Sequence, residues 1–381
     1  MNYLTNSHNT LSQDDRADVK EKVPVVKIAF LDVGQGDTIV ISCSDTHEAI
    51  VVDCVDARSV QNYLKQEQIK HLRGIIITHL HADHYKGVAD LLNNCSEALG
   101  LQECEVLACN DVRSPRPRKM PKLQHDADGH STFYEQPFIG RTSLANLFLW
   151  CRQNKLKCEP IRVTKRCLPF TGTLAKSLQL VHPYHADYDT LKSQGLNNTA
   201  VVLRISGPHS SALLTGDLEP SGWQQLQINH PELRSDVLKF PHHGGAWDDA
   251  TTDMLLDAIK PSIVVISVGT VGGEKYQHPN ADIFTALSKR PDIRVLCTQA
   301  THLCHEQKSV LTERNSVVDR FQAEASRSNQ RPILSRDERS CPCAGTIIVE
   351  LGDKARVLLP EITFHRESII KSHFKRHKCE W

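Results

Sequence analysis

The stretch GIIITHLHADH at residues 74–84 decides how this chain is read. Its apolar first half is the pattern of a strand, and Gly74 to Thr78 runs directly into a histidine-rich turn. An extended backbone sends alternate side chains to one side, so His79 and His81 share a face. Asp83 and His84 follow on the turn, where they can serve a second position. Imidazole nitrogen and carboxylate oxygen at this spacing are ligands for divalent zinc or manganese.

Working outward, VVKIAFLDV, TIVISC and AIVVDC read as strands before this segment, with GQGD as a turn between the first two and a short helix over 57–66. SLQLVHP, TAVVLRI, SALLTGD, SDVLKFPHH, PSIVVISVG, IRVLCTQ and residues 345–351 read as strands after it, with a helix at ADIFTALSK. Strands that end in polar loops place chemistry on one rim of a sheet. Asp217 ends such a strand, where a carboxylate can bridge two cations. In PHHGG, neighbouring strand residues point oppositely, so one histidine serves as ligand; His243 is the expected one and His242 the supporting one. His182 also stands at a strand end.

The 381 residues divide into an N-terminal arm (1–24), one domain (25–360) with polar insertions near 91–174 and 302–340, and a basic tail (361–381). Lys and Arg number 45 against 45 Asp and Glu, which removes bulk charge as an argument for nucleic acid. Local basic runs remain, with Arg113, Arg116, Arg118, Lys119 and Lys122 in the first insertion and Lys371, Lys375, Arg376 and Lys378 in the tail. There is no apolar run of about 18 residues and no apolar leader, so a soluble, cytoplasmic protein without a membrane partner is expected. The 13 cysteines are read as thiols or metal ligands rather than disulfides. Cys297, Cys304, His305, Cys341 and Cys343 flank the second insertion, where they either staple it with a structural zinc or are buried thiols on strands. Oligomeric state is left open.

LDVGQGD (31–37), VVDC (51–54), THLHADH (78–84), LLTGD (213–217), LKFPHHGG (238–245) and ISVG followed by QHP (277–279) occur in that order. Together they resemble the metallo-β-lactamase superfamily, and within it the hydrolase domain of ComEC/Rec2 competence proteins. The resemblance implies an α/β fold of αββα type, two facing sheets with helices outside. It implies two divalent ions, zinc or manganese, on one rim: His79, His81 and His182 at one, Asp83, His84 and His243 at the other, Asp217 between them. Asp53 would orient a ligand histidine from behind. Phosphodiester cleavage by a nuclease or phosphodiesterase is implied, with Asp83 accepting a proton and Lys239, Asn198 and His278 contacting substrate oxygens. Nucleic acid or another phosphodiester is then the expected partner. Hydrolysis of a small ester, lactone or thioester is the alternative on the same scaffold.

Overall fold

Alternation along the central strands sorts their side chains into two cores, and that sorting builds the layers. In β2 (Ile39–Cys43), Ile39, Ile41 and Cys43 enter one core while Val40 enters the other. In β3 (Glu48–Val52), Ile50 and Val52 part from Ala49 and Val51 in the same way. Both faces are covered, which is why these strands read as continuous apolar runs rather than as alternation with polar residues.

The computed structural model describes residues 23–99, 104–109, 168–271, 276–304, 307–328 and 331–374, with short pieces at 124–125, 131–132, 147, 151 and 157–160. The 1–24 arm thus falls almost wholly outside the described residues. The remaining strands are β1 (Val26–Phe30), β4 (His71–Ile77), β5 (Val106–Cys109), β6 (Gln124–His125), β7 (Ser131–Thr132), β8 (Lys157–Pro160), β9 (Leu178–His182), β10 (Val202–Ser206), β11 (Ser211–Leu214), β12 (Val237–Lys239), β13 (Ile263–Ile266), β14 (Arg294–Cys297), β15 (Ile347–Leu351) and β16 (Ala355–Leu359). An eight-stranded mixed sheet runs β16-β15-β1-β2-β3-β4-β5-β8, and a six-stranded mixed sheet runs β14-β13-β12-β11-β10-β9. Ile28, Ile41, Ile50 and Ile76 of the first sheet meet Leu203, Leu214, Val237 and Val265 of the second in the core between them. Helix Ala57–Gln66 closes the outer face of the first sheet through Val60, Tyr63 and Leu64. Helices Pro220–Asn229, Asp249–Ile259 and Ala281–Ser288 close the outer face of the second through Trp223, Leu255 and Ile283. The expected αββα layering is present.

Two stretches read as polar insertions contain regular structure. The segment 91–174 supplies β5 and β8, which extend the first sheet in parallel beyond β4. The segment 302–340 contains a 21-residue helix, Gln307–Arg327, whose Val310, Val317 and Phe321 pack with Ile369 and Phe374 of the tail. No helix among the described residues is long and apolar enough to cross a membrane.

The loops after β1, β3, β4, β11 and β12 carry GQGD, Asp53, THLHADH, Asp217 and PHHGG. Gly36 lets the first of these close on the third. It has φ +113°, and a Cβ there would stand 2.3 Å from the Asp83 carbonyl oxygen. The next residue, Asp37, donates its N–H to that same oxygen at 3.1 Å. Gly34 also has positive φ, but a Cβ there would meet nothing within 4 Å. Gly36→Ala should therefore cost about 2–3 kcal/mol and Gly34→Ala about 1 kcal/mol, read by urea unfolding. Equal losses would contradict the packing of the GQGD turn on Asp83.

Candidate metal centre

Two histidines are held by their back nitrogens so that their front nitrogens face one another's carboxylate. His84 donates Nδ1–H to Asp53 Oδ2 at 2.6 Å, which turns Nε2 to within 3.2 Å of Asp217 Oδ2. Asp53 is fixed in turn by the backbone N–H and hydroxyl of Thr78, both at 2.7 Å. His243 donates Nδ1–H to the Ser267 carbonyl at 2.7 Å, which leaves Nε2 3.5 Å from Asp217 Oδ1. Such rear partners set the tautomer and aim the free lone pair.

Asp37, His84, Asp217 and His243 are all buried, and each offers a ligand atom within 4.8 Å of the others. His243 Nε2, Asp217 Oδ1 and Asp37 Oδ1 are buried without a hydrogen-bond partner. Acceptor atoms left unsatisfied in a dry site are costly unless a cation fills the space among them. The donor chemistry, two imidazoles and two carboxylates, fits a divalent ion such as zinc or manganese. Burial opposes ionisation of Asp217, yet His243, His84 and Lys239 hold its carboxyl well below the usual range. Burial likewise opposes protonation of His84, but Asp217 and Asp53 drive its imidazole well above the ordinary value. Both directions record the pull of this cavity for positive charge.

Asp37 is the member of this group that the sequence reading missed. The signal lay in the chain: an acid directly after a Gly-x-Gly turn, opening a strand beside THLHADH. ISVG completes its support, because Gly269 packs on the GQGD backbone (a Cβ would fall 2.4 Å from Gln35 N) and donates N–H to Gln35 Oε1 at 3.3 Å.

The other expected residues are distributed around the group. His79 is buried with Nε2 3.0 Å from His81 Nδ1 and 3.9 Å from Asp217 Oδ2. Burial, then the neighbouring His84, keeps the His79 imidazole neutral, well below its ordinary pKa. Asp83 reaches the rim with its side chain 38% exposed and Oδ2 3.9 Å from His243 Nε2. His182 does not face the group: its Nε2–H donates to the Asn198 carbonyl at 2.8 Å. Asn198 does not present its amide to a substrate either. Its Oδ1 accepts the Gly222 N–H at 2.9 Å, bracing the start of helix Pro220–Asn229. Lys239, expected as a substrate contact, is fully buried and binds Asp37 and the Gly216 carbonyl, the latter at 2.9 Å. His242 turns outward to Glu219, with Nδ1 3.5 Å from Oε1. His278 lies beside it, ring centroids 5.2 Å apart, and lines a cavity of 380 Å³ with Tyr276, Gln277 and Asn280. Gly245 makes room for that ring, since a Cβ there would stand 2.0 Å from His278 Cε1.

The expected structural zinc is not supported by the geometry. Among the described residues, the rim group is the one set of three or more donors close enough to hold an ion. Cys304, Cys341 and Cys343 are buried in the apolar core under helix Gln307–Arg327, and Cys297 lies in the core outside the second sheet. Burial pushes the Cys341 thiol up to about 12. His305 lies outside the described residues, as do Arg113, Arg116, Arg118, Lys119, Lys122, Lys375, Arg376 and Lys378. Lys371 pairs with Glu367 at 2.9 Å.

Residues 31–102 match the family model of the metallo-beta-lactamase superfamily. ComE operon protein 3 of Bacillus subtilis is 35% identical over 102 residues, covering 27% of this chain and 12% of that protein. Hydroxyacylglutathione hydrolase of Shewanella loihica is 49% identical over 51 residues, 13% of this chain and 19% of that one. The chain therefore spans less than a fifth of either relative's length. The metallo-beta-lactamase fold protein YhfI of Bacillus subtilis is similar in structure at 15% identity, with 64% of this chain and 85% of that one covered and a TM-score of 0.33.

Removing the rear carboxylate of His84 tests whether the group binds metal as a preorganised unit. Asp53→Asn should weaken divalent-ion affinity about 10- to 100-fold, measured by competition with a chromogenic chelator. Unchanged affinity would take His84 out of the centre.

Proposed function

We propose that the chain is a metal-dependent hydrolase acting on phosphodiesters. The observation that carries this reading is the dry group of Asp37, His84, Asp217 and His243, with acceptor atoms that no protein hydrogen satisfies. A divalent ion held there would supply Lewis acidity, lowering the pKa of a water and offsetting charge on phosphoryl oxygens. Asp83 is the carboxylate placed at the open rim to orient that water and take its proton. His278 faces the adjoining cavity; burial, with His242 and His243 beside it, lowers its pKa to about 4, so at neutral pH the ring can both donate and accept beside a leaving oxygen. The likeness to ComEC/Rec2 hydrolase domains, carried by GQGD, LLTGD and PHHGG, favours phosphodiesters as substrates. Nucleic acid is the proposed partner class, and two ions of the superfamily pattern would add His79 and His81 as ligands.

A second reading, hydrolysis of a thioester, is favoured by the 49% identical stretch shared with hydroxyacylglutathione hydrolase. A parallel assay separates the two. With manganese or zinc supplied, bis-p-nitrophenyl phosphate, single-stranded DNA or RNA should be cleaved and an acylglutathione should not; the reverse would establish the thioester reading.

Asp83→Asn should lower kcat on the cleaved substrate by about 10²-fold or more, because a positioned proton acceptor contributes that much. Metal content should be retained, since the four-membered group does not include Asp83. A variant with full turnover would remove Asp83 from the chemistry.

A further inference from the structure

Among the described residues, Lys239 is the one ammonium inside the donor group, and it is fully buried. Its relative exposure is 0%, its Nζ contacts Asp37 Oδ2, lies 3.6 Å from Asp217 Oδ1 and donates to the Gly216 carbonyl at 2.9 Å. Its own carbonyl is held by the Thr215 hydroxyl at 2.6 Å, so both ends of the residue are tied to the loop that carries Asp217. Three acceptors therefore enclose a head group that touches no open surface. It cannot bind a substrate oxygen without leaving two carboxylates uncompensated.

The fixed charges can be counted. Among the described residues, Asp37, Asp53 and Asp217 are the fully buried carboxylates of the rim and Lys239 is the buried cation that faces them, which leaves two negative charges in the dry interior, with Asp83 38% exposed at its edge. One divalent ion neutralises that remainder; a second would leave the dry interior with excess positive charge beside an ammonium. The neighbouring nitrogen set is also incomplete. Of the three histidines expected there, His182 gives its Nε2–H to a backbone carbonyl, which leaves His79 and His81 without their third partner.

We propose that Lys239 is a resident cation standing in for a second metal, so that this centre holds one divalent ion per chain. This rests on the metal-centre reading above and departs from the two-ion pattern of the superfamily. Lys239 is thereby a positioning residue: it holds Asp37 against the group and sets the charge that the ion experiences.

The test is equilibrium dialysis of the full chain against manganese, which avoids thiols, with bound metal counted by mass spectrometry. One ion per chain is expected. Two ions bound with comparable affinity would overturn the proposal while sparing the metal-centre reading; no bound ion would overturn that reading itself. Lys239→Gln removes the competing charge and should tighten manganese binding by about tenfold or more, whereas Lys239→Arg should keep the wild-type affinity. Weaker binding by a folded Lys239→Gln chain would overturn the electrostatic role. The wild-type count decides the stoichiometry even if that variant does not fold.

Discussion

Burying Asp37, Asp53 and Asp217 side by side on one rim is the constraint on which the rest of the centre depends. Three carboxylates in a dry space repel one another and lose their hydration, so each needs donors or positive charge at close range. Asp53 is met by Thr78 and His84, and that contact aims His84 forward. Asp37 and Asp217 are met by Lys239, which accounts for only part of their charge. The unsatisfied remainder explains why His84 is driven toward protonation and why acceptor atoms stand without partners. A divalent ion resolves both at once.

The fold serves that charge by bringing five loops together from two sheets. The Thr78 carbonyl accepts the Val201 N–H at 2.9 Å, tying the THLHADH turn of the first sheet to the start of β10 in the second. GQGD closes onto Asp83 on one side and onto Gly269 on the other. The strands behind these loops are buried on both faces, so the loops rest on a rigid base and their geometry is set by packing.

Much of this was legible in the sequence because it depends on local pattern. The apolar run into THLHADH specified a strand and the turn that follows it, and the acid ending LLTGD marked a strand-end carboxylate. PHHGG shows a local rule and the structure separating the same two rings by different means. Strand alternation allows one of the pair, with His243 the expected one, and the structure groups His243 with Asp37, His84 and Asp217 and leaves His242 outside. Both, however, are in left-handed turn conformations (φ 53° and 50°), and it is this turn that separates their rings. Asp37 was hidden because its role depends on a glycine turn packing against a residue 46 positions later, a contact that periodicity does not encode. Lys239 read as a substrate contact because sequence gives no sign that its ammonium is enclosed by Asp37, Asp217 and the Gly216 carbonyl. The roles of His182 and Asn198 turn on hydrogen bonds to the backbone, which are equally silent in sequence. The polar insertions misled for a different reason: β5 and β8 are only four residues each and form the last two positions of the sheet, where long-range pairing outweighs weak local propensity.

The central claim is that the rim binds a divalent ion among His84, His243, Asp217 and Asp37. Anomalous diffraction from crystals soaked in manganese tests it most directly. A single strong peak within bonding distance of His84 Nε2, His243 Nε2 and an Asp217 oxygen is the predicted result. A rim without a peak, with Lys239 alone among the carboxylates, would contradict the claim.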